Sequence, residues 1–417
     1  MMDLTLIVDF IVLWFIIICG YYVLLATASF LPRRKVKDDE MREPVRMLVL
    51  VPAKDEEKVV AELIRDLESQ DYPKDMFRVL VIADHCTDGT ADVVRHISSG
   101  ITRVLVREEG EKGKGAALDY GTEHASSVFP EFRYEYIAVF DADNRVGPDV
   151  LLEMGKVLSS GQKAVQIKVL AKNPETSLLA RVQALESVVL QRVWQLGKDR
   201  LGLVNAFAGT GQAIEKNLLY QMGGFGNSLT DDLDLTIRMA RNGVRVKYIH
   251  DVATYDEKPD SLKVEIKRRV RWSAGHLGSL MRHGPRILRS RPTLLRIDAL
   301  FYLLAILTPL LLWLGYLVSF LDWFGLATFS PTPFIVWLFL SCFWPSLVLI
   351  TPYLDGEKGL YRAAPALLLF LLSWMVAVPV ALAKLMIGDD GWTKTPHGVN
   401  VDFKFTDTHA GKKVISH

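Results

Sequence analysis

Met47-Leu-Val-Leu-Val-Pro-Ala-Lys-Asp-Glu-Glu57 is the stretch that decides the fold. Five apolar residues that stop at a proline and turn acidic describe a strand buried on both faces, with polar groups at its carboxyl end. The pattern recurs at residues 78–82, 103–106, 136–140 and 164–169, and amphipathic stretches such as 59–70 and 91–98 lie between these runs. Alternating strands and helices predict an α/β domain on a parallel sheet. Acids and glycines cluster just after the strands, as Lys54-Asp55-Glu56, Asp84, Asp88-Gly89 and Asp141-Ala142-Asp143. An open α/β sheet binds its ligands at that end.

Outward from this domain, expected over residues 43–285, the chain changes solvent. Residues 4–31 are almost purely apolar, interrupted only by Asp9, and exceed the roughly 20 residues a spanning helix needs. A signal peptide is the competing reading, but the run is too long and no Lys or Arg precedes it. Residues 1–32 are therefore expected to form a transmembrane anchor. Arg33, Arg34, Lys35 and Lys37 follow at once, which predicts a cytoplasmic domain in a multi-pass cell-membrane protein. Further apolar runs at 297–323, 333–353 and 363–387 predict a transmembrane bundle over 296–388, ahead of a tail at 389–417. Arg282, Arg286, Arg289, Arg291 and Arg296 precede the first of them and predict the same orientation.

Composition agrees with two regimes in one chain. Of 417 residues 50% are hydrophobic and 23% charged, too apolar for disorder and too charged for a purely membrane protein. The formal net charge of +1 argues against a nucleic-acid partner. Cys19, Cys86 and Cys342 are scattered, which excludes a disulfide framework and a cysteine-based zinc site.

The chemistry-bearing residues lie in the soluble stretch. Neither GxGxxG nor GxxxxGK[ST] is present, so dinucleotide and P-loop readings lose their support. Asp141 and Asp143 end a strand with one residue between them; two hard carboxylates can share Mg²⁺ or Mn²⁺ and bridge to phosphates, although an acidic turn is an ordinary alternative. Gly110-Glu-Lys-Gly-Lys-Gly115 can set backbone N–H groups and Lys114 beside a diphosphate, or can be a solvated loop. Thr230-Asp231-Asp232 precedes a helical stretch; one acid suffices as cap, leaving Asp232 as a candidate general base. In the basic amphipathic stretch 262–282, Arg271 suits a diphosphate and Trp272 a sugar ring, while the same helix could lie on anionic lipid. A second apolar stripe at 178–196 fits either a membrane-surface helix or a core-packed one.

In order, Val51-Pro-Ala-Lys-Asp-Glu-Glu57, Ala83-Asp-His-Cys-Thr-Asp-Gly-Thr90, Asp141-Ala-Asp143, Gly209-Thr-Gly211, Thr230-Asp-Asp232 and Arg268-Arg-Val-Arg-Trp272 resemble the membrane-integrated family-2 glycosyltransferases, the group of cellulose, hyaluronan and poly-N-acetylglucosamine synthases. The resemblance implies a GT-A domain flanked by α-helical transmembrane segments, a UDP-sugar donor and a divalent cation. It implies that Asp84 contacts the uracil with Pro52 and Glu56 beside it, that Asp141 and Asp143 hold the metal on the diphosphate, and that Asp232 is the base, with Asp231 in place of the family's Glu. Gly209, Thr210 and Gly211 would face the acceptor; Arg271 would grip the pyrophosphate and Trp272 the acceptor sugar; Trp392, Lys394, Thr395 and His397 would close over bound nucleotide.

The implied reaction is inverting transfer from a UDP-sugar to a growing β-linked polysaccharide, coupled to its translocation through the bilayer. Arg268 stands where that family has Gln, as in ceramide glucosyltransferases, so a non-processive enzyme acting on a ceramide-like or polyprenyl-linked lipid is the alternative. Three full spans after a cytoplasmic domain would also leave residues 392–397 on the far side. Either one apolar run is re-entrant or interfacial, as Pro365 and Pro379 suggest, or the tail motif is accidental.

Overall fold

A computed structural model describes residues 2–31, 43–328, 347–388 and 403. Most of the 333–353 run, the basic residues Arg33 to Lys37 and the tail residues Trp392, Lys394, Thr395 and His397 lie outside the described residues.

Met47–Ala53 (β1), Phe77–Asp84 (β2), Thr102–Arg107 (β3), Tyr136–Val139 (β4), Arg145–Val146 (β5), Ala164–Ala171 (β6), Gln212–Glu215 (β7) and Lys247–Asp256 (β8) form one sheet. Its order is β3-β2-β1-β4-β7-β6-β8-β5. The pairs β1–β2, β1–β4 and β2–β3 are parallel, as the apolar runs predict. Beyond β4 the expectation of a parallel sheet fails: β7 runs antiparallel to β4 and β6, and β5 antiparallel to β8. These strands carry weak signals, because β5 and β7 are short and β8 holds His250 and Asp251 where its register with β6 slips after Ile167.

Alternation along each strand divides the core. Met47, Val49 and Val51 pack with Leu63, Ile64 and Leu67 of the Val60–Glu68 helix on one face. Leu48, Leu50, Leu80 and Ile82 meet Ala117, Leu118 and Ala125 of the Lys114–Val128 helix on the other. Gly121 sets the spacing of that second contact, since a Cβ there would lie 2.8 Å from Ile82 Cγ1 and 3.5 Å from Leu50 Cδ2. Strand order reverses between β1 and β4, and the crevice at such a switch point is where the loops after β1, β2 and β4 converge.

Thr5–Ser29, Leu294–Trp323 and Leu369–Ile387 are long and apolar enough to cross a membrane. The first helix pairs with the second, for the Trp14 indole donates to Thr308 Oγ1 at 3.1 Å and the Tyr21 hydroxyl donates to Asp298. Beside them, Met2–Asp3 pairs with Ala327–Thr328. Against the domain the first helix meets Gly197, where any Cβ would come within 2.3 Å of the Leu25 carbonyl oxygen. Ala377, Val378 and Ala381 of the last helix pack along the Leu262–Leu288 helix, on Val270, Ala274 and Leu277. Farther on, the Phe403 ring lies 4.9 Å from that of Tyr255 on β8.

The 178–196 stripe is core-packed. It forms an α-helix, Leu178–Val189, continued by a π-helical turn, Leu190–Leu196, buried against Leu25, Ala26, Leu367 and Phe370. Its polar residues find internal partners: Gln195 donates to the Ala206 carbonyl at 2.8 Å and Gln183 to that of Pro259 at 3.0 Å.

Gly121→Ala should cost about 1–3 kcal/mol by overpacking the helix on the sheet. Thermal unfolding of the detergent-solubilised protein checks this, and an unchanged midpoint would contradict the close approach at Ile82.

Candidate active site

A cavity of about 430 Å³ opens at the carboxyl ends of β1, β2 and β4. Pro52, Glu56, Asp84, Lys114, Asp141, Asp143, Gly209, Thr210, Asp231, Asp232, Arg271 and Trp272 all line it. Gly211 does not: its N–H donates to Val139 at 2.9 Å and its carbonyl accepts from Ile167 at 2.8 Å, so it stitches β4 to β6. Its φ of +62° and the 2.7 Å approach of Ile167 to a built Cβ both require glycine.

At one end Asp84 ends β2, buried, and accepts from Arg107 Nη1 at 2.9 Å and His85 Nδ1 at 2.8 Å. Arg107 is invisible to motif reading because it closes a different strand. Asp55 and His85 take left-handed φ values of 53° and 50°, a conformation Asp and His tolerate better than most residues. Lys54 donates to the His85 carbonyl, and the Thr87 N–H donates to Asp55 at 2.6 Å, locking the two loops together. Asp55, Cys86 and Asp88 bring possible ligand atoms within 4.8 Å of one another. They are already used in these turns, for the Asp55 N–H donates to Cys86 Sγ at 3.4 Å and the Thr90 N–H to Asp88 at 3.0 Å.

In the middle, Asp141 ion-pairs with Lys114, whose ammonium also donates to the Gly209 carbonyl at 2.8 Å. The Asp141 N–H donates to Thr210 Oγ1 at 3.1 Å and Asn144 Oδ1 at 3.2 Å, which aims the turn. Asp143 is buried; its carboxylate accepts the Glu257 N–H at 3.4 Å, and behind it Lys172 donates to its carbonyl at 2.9 Å and pairs with Glu257 at 3.1 Å. Both aspartates line the cavity with hard oxygen donors and no sulfur or imidazole between them, a donor set that fits Mg²⁺ or Mn²⁺ with phosphate oxygens completing the shell.

Asp231 and Asp232 open the Asp231–Arg241 helix, and Thr230 is the cap residue, making no side-chain cap bond. Gly275 lets the Leu262–Leu288 helix lie against that terminus, where a Cβ would come within 2.5 Å of Thr230 Oγ1. Burial raises the pKa of both acids; for Asp231 the charge of Asp232 adds to it, and for both Lys114 works against it. Burial opposes the Lys114 ammonium, but Asp141, Asp231 and Asp232 overcome it and hold its pKa above the ordinary value. Arg271 donates to the Leu229 carbonyl at 3.3 Å. Arg268, noticed in the sequence only as a departure, also lines the cavity, with its guanidinium 4.6 Å from the Trp272 ring centroid and an Nη2 bond of 2.8 Å to Gln183.

Residues 44–275 match the family model described as "Glycosyltransferase like family 2". The β-monoglucosyldiacylglycerol synthase of Nostoc is 28% identical over 248 residues, 58% of this chain and 51% of that one. The poly-β-1,6-N-acetyl-D-glucosamine synthase of Staphylococcus aureus is 23% identical over 253 residues, 60% of this chain and 58% of that one. The chain thus spans little more than half the length of these curated relatives. Among solved structures, the mannosyltransferase PcManGT of Pyrobaculum calidifontis, in complex with GDP-Man and Mn²⁺, superposes with a TM-score of 0.59 at 18% identity, over 90% of this chain and 98% of that one. That likeness establishes the GT-A fold.

The raised acids carry a signed pH dependence. The folded chain binds their protons more tightly than the unfolded chain, so their stability contribution is complete below about pH 4 and is lost as pH rises through the elevated native values. Asp231→Asn should raise the unfolding midpoint at pH 8, with the advantage shrinking towards pH 4; parallel midpoint curves for variant and wild type would refute this.

Proposed function

The chain belongs to the family-2 glycosyltransferases, and on that premise we propose that it transfers a hexosyl group, with inversion, from a UDP-sugar to an acceptor hydroxyl at the membrane face. The observation that carries this reading is the convergence of Asp141, Asp143, Asp231, Asp232, Lys114 and Arg271 on one cavity from separate elements.

In the proposed reaction Asp84, Pro52 and Glu56 bind the uracil end, while Lys114 and Arg271 hold the diphosphate by charge-assisted contacts. Asp141 and Asp143 would hold a divalent cation, which when bound supplies charge stabilisation to the departing diphosphate. Asp232 takes the proton of the acceptor hydroxyl at its carboxylate, and the oxygen attacks the anomeric carbon from the face opposite the diphosphate. Burial serves this step, because a carboxylate with a raised pKa is a stronger base near neutral pH. Asp231 is buried beside it, and the Asp232 charge helps raise the Asp231 pKa.

Two acceptors compete. A growing β-linked polysaccharide keeps the support of the Staphylococcus aureus relative, whose name describes polymer synthesis. A lipid hydroxyl keeps that of the Nostoc relative, whose name describes a glucosyldiacylglycerol. Arg268 favours the lipid, since its guanidinium covers a face of Trp272 on which an acceptor sugar would stack.

The three apolar helices support membrane attachment, and the arginines from Arg282 to Arg296 support a cytoplasmic catalytic domain. Phe403 against Tyr255, with the last apolar helix along Leu262–Leu288, supports a final run that turns back at the membrane surface.

Asp232→Asn should lower kcat by about 10²–10⁴ and leave UDP-sugar affinity nearly unchanged, read as UDP release across a donor panel beside equilibrium binding; turnover near wild type would end the base assignment. Asp143→Ala should abolish metal-dependent UDP release while the protein still inserts into membranes, and wild-type turnover that persists in excess chelator would count against a cation at this pair.

A further inference from the structure

We propose that a second cavity, lined mainly by the apolar helices, binds the acyl chain of a hydroxyl-bearing lipid acceptor and points its head at Asp232. This deepens the transferase reading above and rests on it.

The cavity holds about 630 Å³ and is walled by Val8, Ile11 and Phe15 of the first helix, Leu312 of the second and Leu371 of the last. The outer faces of the first two helices carry exposed Phe10, Leu13, Leu317 and Phe320, so the cavity sits where the surroundings are hydrocarbon. An apolar space of this size takes hydrocarbon rather than water. It is a poor conduit for a polysaccharide, whose hydroxyls would lose water and gain no partners.

Its charged lining residue connects to the helix that carries Arg268, Arg271 and Trp272 of the catalytic cavity. Glu186 is the one charged residue among the described residues that line it, and it ion-pairs with Arg269. Arg269 is fully buried, donates from Nε to Glu265 at 2.9 Å, and lies 4.6 Å from the ring centroid of Trp374, itself a lining residue. Its Nη1 has no hydrogen-bond partner among the described residues; Arg269 does not itself line the cavity, so this donor marks the polar network behind Glu186 as incompletely satisfied. The preceding residue, Arg268, covers Trp272 inside the catalytic cavity. A single helical turn, 268–272, thus separates the two cavities, and a lipid with its chain in one carries its hydroxyl towards the other.

Gly315 offers a clean block. It lines the cavity, and a Cβ built on it meets nothing closer than Ile11 Cγ2 at 4.0 Å, so a leucine side chain enters the space without a backbone clash. The full chain in phosphatidylcholine nanodiscs receives dioleoylglycerol and a panel of radiolabelled UDP-sugars. Wild type should label the dioleoylglycerol, and Gly315→Leu should label it at least tenfold less while UDP-sugar binding stays within twofold. Equal lipid labelling by the two proteins, or label only in water-soluble polymer, overturns the proposal.

A second measurement does not depend on turnover. Dioleoylglycerol bearing a diazirine in its acyl chain should crosslink to Ile11, Phe15 and Leu312, and Gly315→Leu should abolish those adducts. Adducts confined to Phe10, Leu13 and Phe320, or equal cavity labelling by diazirine-bearing phosphatidylcholine, overturn the acceptor assignment. Cavity adducts with no UDP release from any donor would leave the lipid site standing and remove the transferase reading.

Discussion

Asp141, Asp143, Asp231 and Asp232 share one cavity with Lys114, Arg268 and Arg271, and the catalytic half of the molecule is organised around that excess of carboxylates. Lys114 pairs with Asp141 and feels Asp231 and Asp232, while Arg271 reaches the same region from another helix. Buried charges of one sign repel strongly unless countered. The resting solution keeps one lysine among three acids and lets burial push two of those acids towards their neutral forms. Such a site is short of positive charge, a deficit that the divalent cation proposed at Asp141 and Asp143 would offset.

The scaffold serves this arrangement by close backbone approach. Gly115 could not carry a Cβ, which would come within 1.7 Å of the Gly226 carbonyl oxygen, so the start of the lysine-bearing helix is fixed against the loop that leads to Thr230. Gly275 fixes the arginine- and tryptophan-bearing helix against Thr230 in turn. Three stretches far apart in sequence are thereby held at separations their side chains alone could not set.

The sequence made the first half of the sheet and most of the pocket legible for a common physical reason. A strand covered on both faces must be continuously apolar, and the polar residues that follow it can only lie at its end. That logic located Asp84, Asp141 and Asp143. It failed for β5, β7 and β8, which are short or interrupted and gain their place from pairing rather than pattern. Arg107, Lys172 and Glu257 were illegible because they act through contacts between different strands and loops. Gly211 does not line the cavity that Gly209 and Thr210 line, because its own backbone is consumed between β4 and β6. The 178–196 stripe could not be resolved by periodicity, since partners for its glutamines come from distant loops.

The pairing of the first helix with residues near 300 has a consequence for biosynthesis. Trp14, Tyr21 and Met2 find their partners at Thr308, Asp298 and Ala327. At roughly 5–20 residues per second of translation, the opening segment waits on the order of tens of seconds before its mates emerge. Through the whole synthesis of the globular part, the apolar faces of that segment must be kept from water by something other than their native partners.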